Sequence, residues 1–480
     1  MSTRVRSWPR AARLLGAAAA LAVVCLCVGR CAADTNTTPM AELSLTDQDR
    51  ILVLAPHPDD EVLGCGGVLQ HALARKIPVR VVFLTYGDNN QWSFLVYRKH
   101  PVFVPGAVLV MGLTRHDEAL AAAKALGVDP SALTFLGYPD FGTLNIWYAH
   151  WDDAPPYRSM LTRVRAVAYP NAFRPGAPHK GEEILQDLTQ IMRDFRPTKV
   201  FVSHPADHNP DHRALYLFTR VCLWDLANEL QPQLLPYLVH YQGWPVPRGY
   251  HPDKALVPPP TLDADIWSVC PLSSADVAHK HEAIRQHRTQ FEYGPQYLES
   301  FMRANELFGD MPVLLYPPPA QAAEPGTIQE TYAATAAPEE LTDEERAAFF
   351  TVESRYVRID GTNLTVRIKL SKPLAEAATA SVYVFGYRAD RPFATMPKIH
   401  VQIGELAERL LDQSRELPRE GLVVKRSTRE ISVQVPLALL GQPQKILTGA
   451  RTYIGDIPLD WVAWRIIELR SAAEETRPAP

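Results

Sequence analysis

Four residues able to handle protons or bind a metal follow one apolar run. In Ile51 to Gly67, ILVLAPHPDDEVLGCGG, the run ends in His57, Asp59, Asp60 and Glu61. A catalytic zinc takes three protein ligands and leaves a fourth position for water, whose pKa falls to about 7 on the metal. His57 and Asp60 supply two ligand types, and a tight turn begun by Pro58 brings both to one ion. Asp59 then projects beside it, placed to take a proton from the water. The alternative is a cap, with Asp59 or Asp60 ending a helix that starts near Glu61 and His57 an ordinary loop residue. A third ligand decides between them.

A second cluster stands at Lys199 to His212, KVFVSHPADHNPDH, where a β-branched run ends in His204, Asp207, His208, Asp211 and His212. Strand-like runs at Ile51 to Leu54, Val79 to Thr85, Leu133 to Leu136 and Lys199 to Ser203 alternate with helix-like segments, as in an α/β fold. This predicts a Rossmann-like, doubly wound, mostly parallel sheet of order 3-2-1-4-5. Strands one and four are then neighbours at the switch point, so the two polar clusters face each other across the crevice. The separate alternative is a polar loop leading into an amphipathic helix from about His212 to Leu230, with Asp211 its cap.

The first block resembles the (P/A)HPDDE signature of the PIG-L or LmbE-like zinc-dependent de-N-acetylases, a resemblance running from about Leu52 to about Phe308. It implies His57 and Asp60 as zinc ligands and Asp59 as general base. The family's second block usually ends in H-P-D-H, which implies His212 as third ligand and Asp211 as the carboxylate orienting that imidazole. The chain departs from the pattern at Asn209, where the family commonly has a histidine that stabilises the transition state. Either His208, one place earlier, takes that part, or Asn209 donates one hydrogen bond and acid catalysis comes from elsewhere. His204 is expected to be a loop or rim residue, since a fourth protein ligand would close the metal to water.

The same resemblance makes Arg115, in T-R-H-D-E, a contact for substrate hydroxyls. Asp88, after the second strand, and Asp140, after the third, become pocket residues for the sugar. The plainer readings are an Arg115–Glu118 surface pair and two turn residues. Zinc is the leading cofactor, and Fe2+ fits the same two-histidine, one-carboxylate set.

Length and composition set the bounds. At 480 residues and 46% hydrophobic content the chain holds two or three domains with proper cores. A formal charge of −4, without a concentrated basic surface, argues against nucleic acid as partner. Arg4 to Arg13, the apolar run Leu14 to Gly29 and Cys31-Ala32-Ala33 lay out a signal peptide over residues 1–33, with an uncleaved membrane anchor as the alternative. Beyond it Cys65, Cys222 and Cys270 are an odd number without zinc-like spacing, so no disulfide framework is expected.

The deacetylase-like domain is expected over residues 45–316. Its long insertion, Phe141 to about Lys180, carries Trp147, Tyr148, Trp151, Tyr157 and Tyr169, either to wall a sugar site or to fill a satellite core. Lys280 to Gln290 and Phe301 to Phe308 read as helices. A solvated linker is expected over 317–342, then an all-β sandwich over 343–472 whose eight strand-like runs start at Arg355. Such a module either contacts carbohydrate at a cell surface or only braces the enzyme.

The expected whole is a secreted or cell-envelope amide hydrolase that removes an acetyl group from an N-acetylated amino sugar in a glycan or glycoconjugate. A non-sugar amide, from a thiol conjugate or an acylated antibiotic, is the alternative substrate. A non-catalytic glycan-binding protein is the alternative outside enzymes.

Overall fold

Five short apolar strands build the sheet that carries both polar clusters: β1 (Ile51–Ala55), β2 (Val79–Thr85), β3 (Leu133–Tyr138), β4 (Lys199–Ser203) and β5 (Gln233–Tyr237). Their order is β3-β2-β1-β4-β5 and every neighbouring pair is parallel. β1 is buried along its whole length, as a central strand covered on both faces must be. Pro236 sits in β5, at the sheet edge, where a missing backbone donor costs least. The expected strand order and the adjacency of strands one and four are thus present. The computed structural model describes residues 40–89, 105–262, 265–316, 327–332, 337, 342–374, 378–404, 407–454, 457–459 and 462–469. The expected signal peptide lies outside the described residues, and Glu42 onward forms one compact unit.

The connecting helices are α1 (Asp60–Ala74), α2 (Pro105–Leu126), α3 (Thr143–Ala149), α4 (Gly181–Phe195), α5 (Pro210–Asp225) and α6 (Ser274–Ile284). α1, α2 and α6 pack on one another, and α3 and α4 pack on α5, the two groups expected of a doubly wound sheet. The glycines of α1 permit close packing. A side chain at Gly64 would collide with the Tyr237 ring and one at Gly67 with Leu272. Cys65 between them is buried, and burial pushes its thiol well above the ordinary range, which suits packing and not nucleophilic chemistry.

Phe301 to Phe308 is not a helix. Its second half belongs to β7 (Asn305–Asp310), which pairs antiparallel with β6 (Ile266–Pro271). Strand pairing decides here: Asn305, Leu307 and Phe308 are buried, and the Glu306 carboxylate accepts the backbone N–H groups of Gly67 and Val68 at 2.7 and 3.0 Å.

Beyond β7 the chain forms two further sheets. The first, in order β9-β10-β11-β17-β16, comprises β9 (Thr327–Thr331), β10 (Val352–Asp360), β11 (Asn363–Leu370), β16 (Val423–Arg426) and β17 (Glu430–Pro436), all antiparallel. The second runs β15-β14-β13-β12-β18-β20-β8. Its strands are β8 (Leu314–Tyr316), β12 (Ala378–Tyr387), β13 (Lys398–Gly404), β14 (Glu408–Asp412), β15 (Arg415–Glu416), β18 (Lys445–Ile454) and β20 (Arg465–Leu469), with β19 (Ile457–Pro458) beside β18. Alternation directs the burial: Leu364, Val366 and Ile368 of β11 and Ile431, Val433 and Val435 of β17 join Val382, Val384, Ile399 and Val401 in one apolar cluster. Each such side chain contributes about 1.5–3 kcal/mol on full burial. Seven of the eight expected strand runs fall on strands; of the eighth, Trp461 to Leu469, the strand takes only Arg465–Leu469, and Trp461 lies outside the described residues. The expected linker is corrected in part, because its residues Thr327–Thr331 pair with β10, and β8 before it pairs with β20.

In the aromatic insertion, Trp147 and Tyr148 follow the packing alternative. Trp147 packs on Phe385, Phe393 and Trp464 at ring distances of 5.7, 5.4 and 5.9 Å, and Tyr148 stacks on Tyr383 at 4.4 Å. These rings form a seam with the second sheet instead of a wall for sugar, because large apolar faces on both sides are best hidden against each other. Lys398 is buried in the seam, its Nζ 4.0 Å from the Phe393 ring centre and donating to the Phe393 and Met396 carbonyls at 2.6 Å each.

Candidate metal centre

At the carboxyl ends of β1 and β4, His57, Asp60 and His212 turn their ligand atoms toward one point. Asp60 Oδ2 lies 3.2 Å from His57 Nδ1 and 3.1 Å from His212 Nε2. The three offer ligand atoms within 4.8 Å of one another and all are buried. Ligands held 2.0–2.1 Å from a tetrahedral ion stand about 3.3 Å apart, so these separations suit one small divalent cation. Asp60 Oδ1 supports that fit as a buried carboxylate oxygen with no hydrogen-bond donor.

The order of residues at the end of β1 produces this geometry. The backbone turns at Asp59 with φ 126°, a left-handed conformation rare outside glycine, and α1 begins at Asp60. Asp59 stands at the N-cap position, yet its side chain makes no capping bond. It faces Arg115 instead, whose Nη2 donates to Asp59 Oδ2 at 3.2 Å and to the Pro58 carbonyl at 2.5 Å. The capping alternative for Asp59 therefore fails. Strain of this kind costs about 1–3 kcal/mol and is held in place by its surroundings.

Carboxylates surround the two imidazoles. His212 Nδ1 lies 3.0 Å from Asp207 Oδ2, and His57 Nε2 lies 3.2 Å from Asp140 Oδ1 and 3.3 Å from Asp211 Oδ2. Burial alone would lower the His212 pKa, but Asp207 and Asp60 hold it up to about 9. Burial would likewise raise Asp60, yet His212 and His57 keep its carboxyl well below the usual range. Such a cluster of negative charge calls for a cation. Asp59 differs: burial pushes its carboxyl up to about 6, against the pull of Arg115.

Several expected partners are redistributed. Asp211 does not orient His212; it supports His57, and its carboxylate accepts the N–H groups of Phe141 at 2.5 Å and Thr143 at 3.1 Å, with the Thr143 hydroxyl. Asp211 and His212 are consecutive residues of α5 and so project about 100° apart, which leaves the His212 ring to Asp207. Asn209 caps α5, its Oδ1 accepting the Asp211 N–H at 2.9 Å. His208 packs on Tyr241, at 4.9 Å between rings, and burial lowers its pKa to about 4. His204 is no rim residue; it is buried, stacked on Trp267 and 3.0 Å from Asp265.

The three expected sugar contacts are also engaged. Arg115 is buried, donating to Asp59, Pro58 and the Gly87 carbonyl, and Glu118 accepts from Thr289 instead of pairing with it. Asp140 gives one oxygen to His57 and accepts the Asn89 N–H at 2.7 Å with the other. Asp88 accepts the Tyr169 hydroxyl at 2.5 Å, and burial beside Asp140 raises its carboxyl to about 7.

Two further residues near the cluster have no role expected from the sequence. His240, after β5, sets its ring 4.7 Å from His212 with its Nδ1 3.3 Å from the Tyr297 hydroxyl. His287 lies 3.0 Å from Glu61, whose Oε2 accepts the Asp59 N–H. Neither belongs to a local motif, and only the strand order makes His240 a neighbour of His212.

A parallel sheet with two histidines and an aspartate converging at its switch point defines an α/β protein with a candidate metal centre. Residues 52–223 match the family described as PIG-L: GlcNAc-PI de-N-acetylase, and the chain carries a PIG-L family domain. A 1D-myo-inositol 2-acetamido-2-deoxy-alpha-D-glucopyranoside deacetylase of Mycobacterium sp. (strain KMS) is 32% identical over 215 residues, 43% of this chain and 60% of that protein. The enzyme of that name from Corynebacterium glutamicum (strain R) is 25% identical over 251 residues, 50% of this chain and 74% of the relative. Among solved structures, N,N'-diacetylchitobiose deacetylase from Pyrococcus horikoshii aligns with 21% identity and a TM-score of 0.30, covering 52% of this chain and 75% of that one. The chain spans about 60% of the length of the mycobacterial relative.

Proposed function

We propose that the chain is a zinc-dependent N-deacetylase acting on an N-acetylated amino sugar within a glycan or glycoconjugate. The convergence of His57, Asp60 and His212 beside an uncapped Asp59 carries this reading. The relatives named as deacetylases of an acetamido sugar support it. The three residues would hold the ion, which when bound acidifies a water and polarises an acyl carbonyl. Asp59 holds and returns the proton at its carboxylate oxygens, and Arg115 fixes that carboxylate. Asp207 and Asp211 set the tautomers and ring planes of His212 and His57. With His208 packed on Tyr241, proton delivery to the leaving amine falls to Asp59. The ring of Phe141 stacks 6.3 Å from that of His57.

In this reading the roles of the site residues, a sandwich of the two C-terminal sheets and export by residues 1–33 go together. The test is acetate release from a panel of N-acetylated glycans by metal-loaded protein, with Asp59→Ala as control. Release from glycans by wild type and none by Asp59→Ala, with metal content equal in both, is the expected result. Amine release only from non-sugar amides, or none from any substrate, overturns it.

A further inference from the structure

A cavity of about 610 Å3 opens beside the loops that follow β4 and β5. Within those loops Asp207 and His240 turn toward His212, whereas Ala206, His208 and Tyr241, their chain neighbours, line the cavity. It therefore shares a wall with the candidate metal centre, at the carboxyl ends of β4 and β5. Its opposite side comes from the C-terminal sheets, through Thr331 and Tyr332 at edge strand β9 and Arg465 of β20. The volume is that of a ligand site, typically about 300–1,000 Å3.

The lining selects among ligands. Tyr241 and Trp244 bring ring surface, and Gln242 and Thr331 bring amide and hydroxyl groups. The charged groups are mutually engaged: Glu330 pairs with Arg465 and Arg355 at 2.6 Å each, and Asp265 with His204 at 3.0 Å. Such a surface offers hydrogen bonds and apolar faces without a free ion to demand a counter-charge. A neutral, polyhydroxylated chain with C–H faces has matching chemistry.

We propose that this cavity is the subsite for sugar residues flanking the one that is deacylated, so that the C-terminal sheets help select an N-acetylated oligosaccharide over a monosaccharide. The inference rests on the deacetylase reading above for its substrate class. Calorimetric titration of the full chain with the N-acetylglucosamine tetrasaccharide and with the monosaccharide tests it without requiring turnover. Wild type is expected to bind the tetrasaccharide at least about tenfold tighter. Thr331→Trp and Gln242→Trp, which plug the cavity from opposite sides at exposed positions, remove that advantage, and Met160→Trp on a distant surface keeps it. Equal affinity for the two sugars in wild type, or an advantage retained in both plugged variants, overturns the proposal. A chain-length advantage with no acetate released overturns the deacetylase reading alone, and acetate released from the monosaccharide with no such advantage overturns only the subsite.

Discussion

Asp211 places its Oδ2 3.3 Å from the Nε2 of His57 and so orients the imidazole of the first cluster, from the first turn of α5, 154 positions away in sequence. His212, next in the chain, takes Asp207 as its partner at 3.0 Å. Each candidate histidine ligand thus has its own supporting carboxylate from the second cluster, and the two can be tested separately.

Asp207→Asn and Asp211→Asn are each expected to weaken zinc binding about 10–100-fold. Competition against a chelator measures this. An Asp207→Asn protein with wild-type zinc affinity would mean that His212 keeps its orientation unaided.

Replacing Arg115 by Ala is expected to lower kcat more than it raises KM, since the guanidinium touches Asp59 and backbone carbonyls. Steady-state kinetics on an N-acetylated oligosaccharide decides it. A rise in KM at constant kcat would instead show uniform loss of substrate binding and restore Arg115 as a sugar contact.

At Asp59 the backbone and the chemistry pull apart. Asp59→Gly and Asp59→Ala both remove the carboxylate, but φ 126° suits glycine alone. Asp59→Gly is expected to melt higher than Asp59→Ala by an amount equivalent to about 1 kcal/mol, while both lose turnover. Equal melting temperatures would argue that the turn relaxes.

The contrast with the sequence is instructive at this residue. The strands and their order were legible because buried parallel strands are short apolar runs bounded by turn residues, and β1 to β4 obey this closely. Asp59, His57, Asp60 and His212 were legible because they lie immediately after such runs. His240 was not, since β5 carries a proline and no local motif follows it. The partners of Asp211 and Arg115 were not legible either, because a carboxylate's choice among nearby donors depends on rotation about α5 and α2, which chain spacing does not fix. Phe301 to Phe308 misled for a further reason: its helical composition yields to pairing with β6.

Lys398 supplies a pH test remote from the metal centre. Burial lowers its pKa to about 7, against the pull of Asp412, Glu182 and Asp152. The unfolded chain therefore binds more protons than the folded one between about pH 7 and pH 10, and stability rises with pH across that window. Thermal melts from pH 7 to 10 should show a rising Tm in wild type and a flatter profile in Lys398→Met. Parallel profiles would indicate that the two carbonyls and the Phe393 ring hold the ammonium charged throughout.

Helix α3 begins with Thr143 on Asp211 and continues into Trp147 and Tyr148 beneath Trp464 and Tyr383. The second half of the chain is thereby mechanically joined to the histidine at the front of the first, through only a few residues. A chain of this design resists being shortened or recombined piecemeal: any replacement for the C-terminal sheets must bring its own bed of rings, or the scaffolding behind His57 comes loose.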